Sequence, residues 1–316
     1  MKRNIAKEIR MRWPNAPLAR DLITSIYYAG EIAKKSDRVA TAKAGEGHRS
    51  IETAGDSDAQ NDVLASLRNH PDLKFLCEED SLNPRVLLKQ NPRGILQGKV
   101  VIVDPVDGTS LFASRYPDWC TAGGLMEEGV FTASVFYAPQ SNDGMLAASY
   151  KDGSLFLSEN GKPFQAVAPQ VAHEPEKSIL LYGVDASLYK NASNFLLEVA
   201  PNVLATRSCG SGLFGLMSVS LGRAAAIFQT PQKPWDWAPA YHTVTKTGNI
   251  FLFFRIIEGE LVPVEHFDRE SFSFDKKNRD NRLGFIAGEP GMAHKLFDRL
   301  PLAGWDRKQP NPGFFV

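Results

Sequence analysis

The sequence predicts a mixed protein: an α+β half over residues 1–169 and a more regularly alternating α/β half over residues 170–316. Two observations carry this. Between residues 120 and 157, four short β-prone runs are separated by the turn signals Glu128-Gly129, Asn142-Asp143-Gly144 and Asp152-Gly153, which is the pattern of an antiparallel meander. After Pro169, strand-like and helix-like runs alternate, as they do when helices cover a sheet. With 316 residues, 43% of them hydrophobic and 23% charged, the chain is long enough for two cores or one large layered one.

The elements follow in order. Residues 18–35 place Leu22, Ile23, Ile26 and Ala33 near helical spacing. Residues 34–55 are polar, contain Gly45 and Gly47, and read as a mobile loop of the kind that serves as a lid. Residues 56–67 read as a helix with acids in its first turn and Pro71 soon after its end. A short strand at 75–77 runs into Glu78-Glu79-Asp80, and a polar excursion at 84–98 precedes the apolar strand 100–103. The meander has strands at 120–126, 130–137, 145–150 and 154–157. The second half reads as strand 179–182, helix 186–199, strand 203–206, helix 213–221, strand 224–228 and helix 236–247.

Composition excludes several classes of function. Lys and Arg number 36 and so do Asp and Glu, a balance that argues against nucleic-acid or anionic-membrane binding as the main task. No apolar run is long enough for a transmembrane helix, and Met1-Lys2-Arg3-Asn4 leads into a charged segment without a signal-peptide core. The three widely spaced cysteines, Cys77, Cys120 and Cys209, form neither a CxxC pattern nor a disulfide framework, and fit a reducing cytoplasm. The six histidines make no HxH or HExxH pair, so oxygen ligands would hold any metal, which favours Mg²⁺ or Mn²⁺ over Zn²⁺.

The most informative stretch is Asp104-Pro105-Val106-Asp107-Gly108-Thr109-Ser110. It puts two acids where an apolar strand stops, then turns through Gly into hydroxyl residues. Burying carboxylates without a partner is costly, and a cation is the simplest partner. Gly108 lets a phosphate approach the backbone, and the N–H groups of Gly108, Thr109 and Ser110, if they open a helix, suit its oxygens. Glu78 and Asp236 stand in comparable places, and such a set has the charge to hold a cation pair. Taken singly, each acid is read more simply as a turn residue or a helix N-cap.

These segments resemble the inositol monophosphatase family, within the lithium-sensitive phosphatases that include fructose-1,6-bisphosphatases and 3′-phosphoadenosine 5′-phosphate nucleotidases. Asp104 to Thr109 is similar to the family's Asp-Pro-Ile/Leu-Asp-Gly-Thr motif. Cys77-Glu78-Glu79 resembles its Gly-Glu-Glu, Trp235-Asp236-Trp237-Ala238 its Trp-Asp-x-Ala, and Asp56 to Gln60 its Asp-x-x-x-Gln. The resemblance implies a single layered α-β-α-β-α unit, a homodimer, inhibition by Li⁺, and two or three Mg²⁺ ions acting on a small phosphorylated sugar, polyol or nucleotide. It implies that Glu78, Asp104, the Val106 carbonyl, Asp107 and Asp236 hold the metals. Glu78 and Thr109 would position and help deprotonate the attacking water, with Asp56 supporting Thr109. Asp107, Gly108, Thr109 and Ser110 would meet the phosphate, and Gly210, Ser211, Gly212 and Gln229 the leaving group. Gln229 stands where inositol phosphatases often carry Glu, which puts inositol phosphate itself in question. The alternatives are 3′-phosphoadenosine 5′-phosphate or fructose 1,6-bisphosphate as the substrate class, and a catalytically idle member that binds a phosphorylated ligand as the function.

Other motifs point elsewhere and are weaker. Gly210-Ser211-Gly212-Leu213-Phe214-Gly215 fits the dinucleotide pattern G-x-G-x-x-G, but the next strand ends in Gln229-Thr230 rather than the required acid. Ser211 lacks the G-x-S-x-G context of a nucleophile, because Cys209 stands where Gly is needed. Trp235, Trp237 and Tyr241 read as core rather than as a stacking platform. Lys34 and Lys35 read as a solvated helix end, and Asp306-Arg307-Lys308-Gln309 as a solvated tail.

Overall fold

The computed structural model describes residues 5–43, 51–88, 92–141, 144–158, 175–185, 188–273 and 281–305. The chain opens with α1 (Ile5–Arg12) and α2 (Pro17–Lys35), to which the sequence reading had assigned only the second. Pro17 pre-sets the first turn of α2, and Leu22, Ile23, Ile26, Ala29 and Ala33 form its buried stripe. Of the predicted loop at 34–55, residues 34 and 35 end α2, β1 (Thr41–Ala42) pairs antiparallel with β2 (Ile51–Glu52), and 44–50 lie outside the described residues. Gly45 and Gly47 lie outside the described residues. Then come α3 (Ala54–Ser66), β3 (Leu73–Cys77), β4 (Lys99–Asp107), the short α4 (Thr109–Ala113), β5 (Cys120–Glu127), β6 (Val130–Ala138), β7 (Met145–Tyr150) and β8 (Gly153–Ser158).

Strands β3 to β8 form one six-stranded sheet in chain order, with β3 parallel to β4 and the rest antiparallel, as the meander pattern predicts. The expected boundary at 169/170 falls outside the described residues. Beyond it lie β9 (Ile179–Gly183), α5 (Tyr189–Val199), β10 (Ala205–Ser208), α6 (Gly212–Ser220) and β11 (Ala226–Gln232). The first residues of the predicted 186–199 helix, 186 and 187, are also outside the description.

The single helix expected over 236–247 is broken. Two 3-10 turns, Pro234–Asp236 and Ala238–Ala240, precede α7 (Tyr241–Lys246). Pro239 has no N–H to give a continuous helix, and its ring disfavours helical backbone at the residue before it. After Thr247, where the sequence reading placed nothing, the chain adds β12 (Ile250–Ile257), β13 (Glu260–Val264), β14 (Leu283–Gly288) and α8 (Pro290–Phe297). These complete a second six-stranded sheet in the order β10-β9-β11-β14-β12-β13, parallel on one side and antiparallel on the other.

The layers are α-β-α-β-α, as the resemblance implies. Helices α2 and α3 cover the outer face of the first sheet through a core that includes Ile26, Val63, Val101, Val103 and Tyr137. Helices α6 and α7 fill the space between the sheets, where Val100, Ile102, Leu216, Trp237 and Phe285 share one cluster. Helices α5 and α8 cover the far face of the second sheet. Alternation along β4 therefore sends Val101 and Val103 outward and Val100 and Ile102 inward, toward the middle layer. Asp104 continues the inward series.

Gly288, at the end of β14, lies between β11 and β12. A Cβ there would press on the Ala225 carbonyl oxygen and sit 2.7 Å from Ala226 Cα, both backbone atoms that cannot swing aside. Gly288→Ala is therefore expected to lower unfolding free energy by about 1–3 kcal/mol. Urea denaturation measures it, and an unchanged midpoint would contradict the tight strand contact.

Candidate active site

The first sheet delivers its acids at one end. Glu78 directly follows β3, and its N–H donates to Val103 O at 3.2 Å, so it stays docked on β4. Strand β4 does not stop at Val103, as the sequence reading had it. Asp104 still pairs with Ala122 and Asp107 with Cys120, and the register shifts between them. The irregularity carries the strand through Asp104-Pro105-Val106-Asp107 while breaking the regular ladder. From the middle layer, Asp236 arrives in the Pro234–Asp236 turn, which its own Oδ2 closes by accepting the Lys233 N–H at 2.9 Å.

Glu78, Asp104 and Asp236 each bring one carboxylate oxygen within 4.8 Å of the other two. Asp104 is 1% exposed, and among the described residues neither of its oxygens has a hydrogen-bond partner. Burial, followed by the charges of Glu78, Asp107 and Asp236, drives its pKa well above the usual carboxylate range. Burial and the Glu78 charge push Asp236 up to about 7. An unpaired buried carboxylate among like charges is strongly unfavourable, and a cation is the partner that relieves it. All donors are carboxylate oxygens, which suits a hard divalent ion rather than zinc.

Asp107 stands apart from that trio. Its Oδ2 accepts from the Ser211 hydroxyl, from Leu213 N at 2.6 Å and from Phe214 N at 3.4 Å. It thus anchors the first turn of α6. Burial raises its pKa to about 6, against the pull of the Ser211 and Leu213 hydrogen bonds. Ser211 also accepts from Phe214 N at 3.2 Å as the cap of α6, so its hydroxyl is engaged on both sides.

Helix α3 explains the Asp-x-x-x-Gln spacing. Four residues apart, Asp56 and Gln60 lie on one helix face. Asp56 Oδ2 accepts from Thr53 N at 2.8 Å and Thr53 Oγ1 at 2.6 Å, and its Oδ1 lies 3.0 Å from Thr109 Oγ1. Thr109 Oγ1 is also 3.1 Å from Val106 O. Gln60 holds the backbone of Glu79 on both sides, donating to its carbonyl and accepting from its N–H, each at 3.0 Å. The expected link between Asp56 and Thr109 is therefore present, and the same helix face fixes the strand end that carries Glu78.

Sequence reasoning missed two lysines. Lys43 Nζ, just after β1, lies 2.9 Å from Glu78 Oε1 and 2.6 Å from Glu79 Oε1. Burial works against its charge, but the Glu78 and Glu79 carboxylates outweigh burial and raise its pKa. Glu79 is pushed up to about 7 by burial and by Glu78, against the pull of Lys43. Lys233 Nζ is 3.7 Å from Glu78 Oε1 and stacks 5.5 Å above the Trp235 ring. Lys34 instead pairs within α2 with Glu31 at 3.8 Å, in keeping with its reading as a helix end. Only the β1–β2 pairing, which local sequence does not signal, brings Lys43 in.

Asp107, Asp236, Gly210, Ser211, Gly212 and Gln229 line a cleft of about 470 Å³. Gln229 is 3% exposed, and its carboxamide fits between two glycines: a Cβ on Gly183 would be 2.6 Å from Nε2, and one on Gly212 3.2 Å. Gly108, Thr109 and Ser110 are not among the cleft-lining residues. Gly108 takes φ +87°, and a Cβ there would meet Ser211 Cβ at 2.9 Å, so both conformation and space demand glycine. Ser110 is exposed on the first turn of α4. Gly215 lets α6 settle against Ile227 and Cys209, which accounts for the last glycine of the G-x-G-x-x-G run by packing. Trp235 and Trp237 are fully buried, as core residues should be.

Comparison with known proteins agrees with this architecture. The model of the inositol monophosphatase family matches residues 16–261. An inositol monophosphatase of Dictyostelium discoideum is 28% identical over 154 residues, covering 47% of this chain and 54% of that protein. The chain thus spans about half the length of that curated relative. A putative Nus factor SuhB of Neisseria meningitidis is 25% identical over 203 residues, covering 62% of this chain and 71% of that protein. The solved extragenic suppressor protein suhB from Bartonella henselae shares the fold at a TM-score of 0.66 and 19% identity, covering 90% of this chain and 98% of that one. The chain belongs to the inositol monophosphatase family.

The carboxylate pKa values set a pH dependence. A carboxyl whose folded pKa is raised favours the folded state below its unfolded pKa, and that contribution is lost as pH climbs through the folded value. For Asp107, Asp236 and Glu79 the loss is complete only above about 6 to 7. Chelator-treated protein should melt at a lower temperature at pH 8 than at pH 5, and added Mg²⁺ should close most of the gap. A melting temperature that ignores both pH and Mg²⁺ would contradict the buried acidic centre.

Proposed function

We propose that this chain is a Mg²⁺-dependent phosphomonoesterase acting on a small phosphorylated sugar, polyol or nucleotide. The observation that carries this reading is the Asp104 carboxylate, buried with both oxygens unpartnered beside Glu78 and Asp236. Membership of the family supports it. Glu78, Asp104 and Asp236, together with Asp107 and the Val106 carbonyl, would hold two or three hard cations. Bound there, Mg²⁺ supplies charge neutralisation for the phosphate and acidifies water at neutral pH.

The chain's own groups orient the reaction. Asp56, fixed by two hydrogen bonds from Thr53, accepts the Thr109 proton, which turns the Thr109 oxygen's lone pairs outward to accept from a water. Glu78 would take that water's proton. Asp107, locked to the first turn of α6, couples the centre to the leaving-group wall of Gly210, Ser211, Gly212 and Gln229. No helix among the described residues is long and apolar enough to cross a membrane. All three cysteines are free thiols, which supports a reducing cytoplasm, and a homodimer rests on the family resemblance alone.

Asp104→Asn should reduce phosphate release, screened over phosphomonoesters with Mg²⁺, by about a thousandfold or more, since several kcal/mol of charge stabilisation would go. Wild-type rates in that variant would sink the assignment. Thr109→Ala should lower kcat by roughly a hundredfold or more with little change in KM. A variant that raises KM alone would move Thr109 from water positioning to substrate binding.

A further inference from the structure

One side chain stands against the acidic centre without a part in the steps above. Lys43 Nζ lies 2.9 Å from Glu78 Oε1 and 2.6 Å from Glu79 Oε1, and its side chain is 10% exposed. Contacts this short between an ammonium and two carboxylates are charge-assisted hydrogen bonds, among the stronger polar contacts a chain makes. They fall on Glu78, which shares an oxygen cluster with Asp104 and Asp236. The Lys43 charge is felt as far as Asp104, where it opposes the upward pull of the neighbouring acids.

The two sides of this contact are anchored differently. Glu78 is tied by its N–H to Val103 O at 3.2 Å, and Glu79 by both backbone groups to Gln60, each at 3.0 Å. Both directly follow β3, a strand of the first six-stranded sheet. Lys43 directly follows β1, whose two residues are exposed and which belongs to a two-stranded sheet apart from the other two. Glu78 and Glu79 are its hydrogen-bond partners among the described residues. The lysine can therefore withdraw without breaking a rung of either large sheet, whereas the acids are held in place from the backbone. A divalent ion and an ammonium on Glu78 would be like charges separated by one carboxylate group, in a setting where water screens weakly.

We propose that Lys43 is a built-in counter-ion of the acidic centre, displaced from Glu78 when a divalent ion binds there. Its two contacts then stabilise the ion-free protein and lower the affinity for the ion, so that Lys43 sets how much free ion the centre needs. This rests on the cation reading of the centre given above and not on the reaction carried out there.

Two measurements on the full chain, neither of them turnover, test it. In the first, Mg²⁺ is titrated calorimetrically into chelator-treated wild type, Lys43→Met and Lys43→Arg. Removing the competing charge should tighten binding in Lys43→Met by about tenfold or more, while Lys43→Arg, which keeps the charge, should bind no tighter than wild type. Equal or weaker binding in Lys43→Met, or the same tightening in Lys43→Arg, overturns the proposal. In the second, wild type alone is trace-labelled with an amine-acylating reagent with and without Mg²⁺, so that no variant has to fold. Lys43 is read against Lys99, an exposed lysine at the start of β4. In protein that binds Mg²⁺, labelling of Lys43 relative to Lys99 should rise several-fold with the ion, and an unchanged or lower ratio overturns the proposal. If wild type binds no Mg²⁺, binding gained in Lys43→Met upholds it, and none in either protein overturns it together with the cation reading. Displacement of Lys43 in a protein that releases phosphate from no substrate would sink the phosphatase reading alone.

Discussion

The repulsion among carboxylates that the fold forces together at the ends of β3 and β4 governs the rest of the site. Asp104 is not satisfied by hydrogen bonds, because among the described residues no donor reaches its two buried oxygens. Its neighbours make matters worse, since Glu78, Asp107 and Asp236 all raise its pKa. A protein accepts such a cost only where a compensating charge is supplied from outside. The compensations visible within the chain are partial: Lys43 and Lys233 pair with Glu78, the Lys43 charge opposes the rise of the Asp104 pKa without overcoming it, and Ser211 with the first turn of α6 binds Asp107. The surroundings of the centre are arranged about that unmet charge.

Rigid supports hold the centre in place. Thr53 locks Asp56, Asp56 holds Thr109, and Gln60 fixes Glu79 from the same face of α3, so one helix sets both the hydroxyl and the acidic strand end. The middle layer does the equivalent from the other side. Its buried tryptophans and phenylalanines seat the Pro234–Asp236 turn against both sheets, which places Asp236 without help from a long helix. Preorganised supports of this kind let a site bind ions and substrate without reorganising.

What was legible in the sequence follows from how local each signal is. Asp104 to Thr109, Glu78 and Asp56 could be named because short spacings fix their relations: a strand end, a left-handed glycine, a helix face. The meander was legible from its Gly-containing turns. The 236–247 segment reads as one helix in sequence, and the structure breaks it because Pro239 cannot continue the hydrogen-bonded run. Strands β12 to β14 went unassigned although Ile250 to Ile257 is a nearly continuous apolar run. Lys43 was invisible for a different reason. Its place depends on β1 pairing with β2, which is not written in neighbouring residues.

The bond between Asp107 and the first turn of α6 carries a consequence for how the protein is made. Glu78, Asp104 and Asp107 leave the ribosome well before Ser211 and Asp236, yet the centre needs all of them. The cluster between the sheets likewise draws on both ends of the chain, from Leu76 to Ala287. A nascent N-terminal half therefore carries acidic side chains with neither their anchoring helix nor their third carboxylate, and cannot assemble the acidic trio. The trio is complete only once the Pro234–Asp236 turn has been made and seated between the sheets.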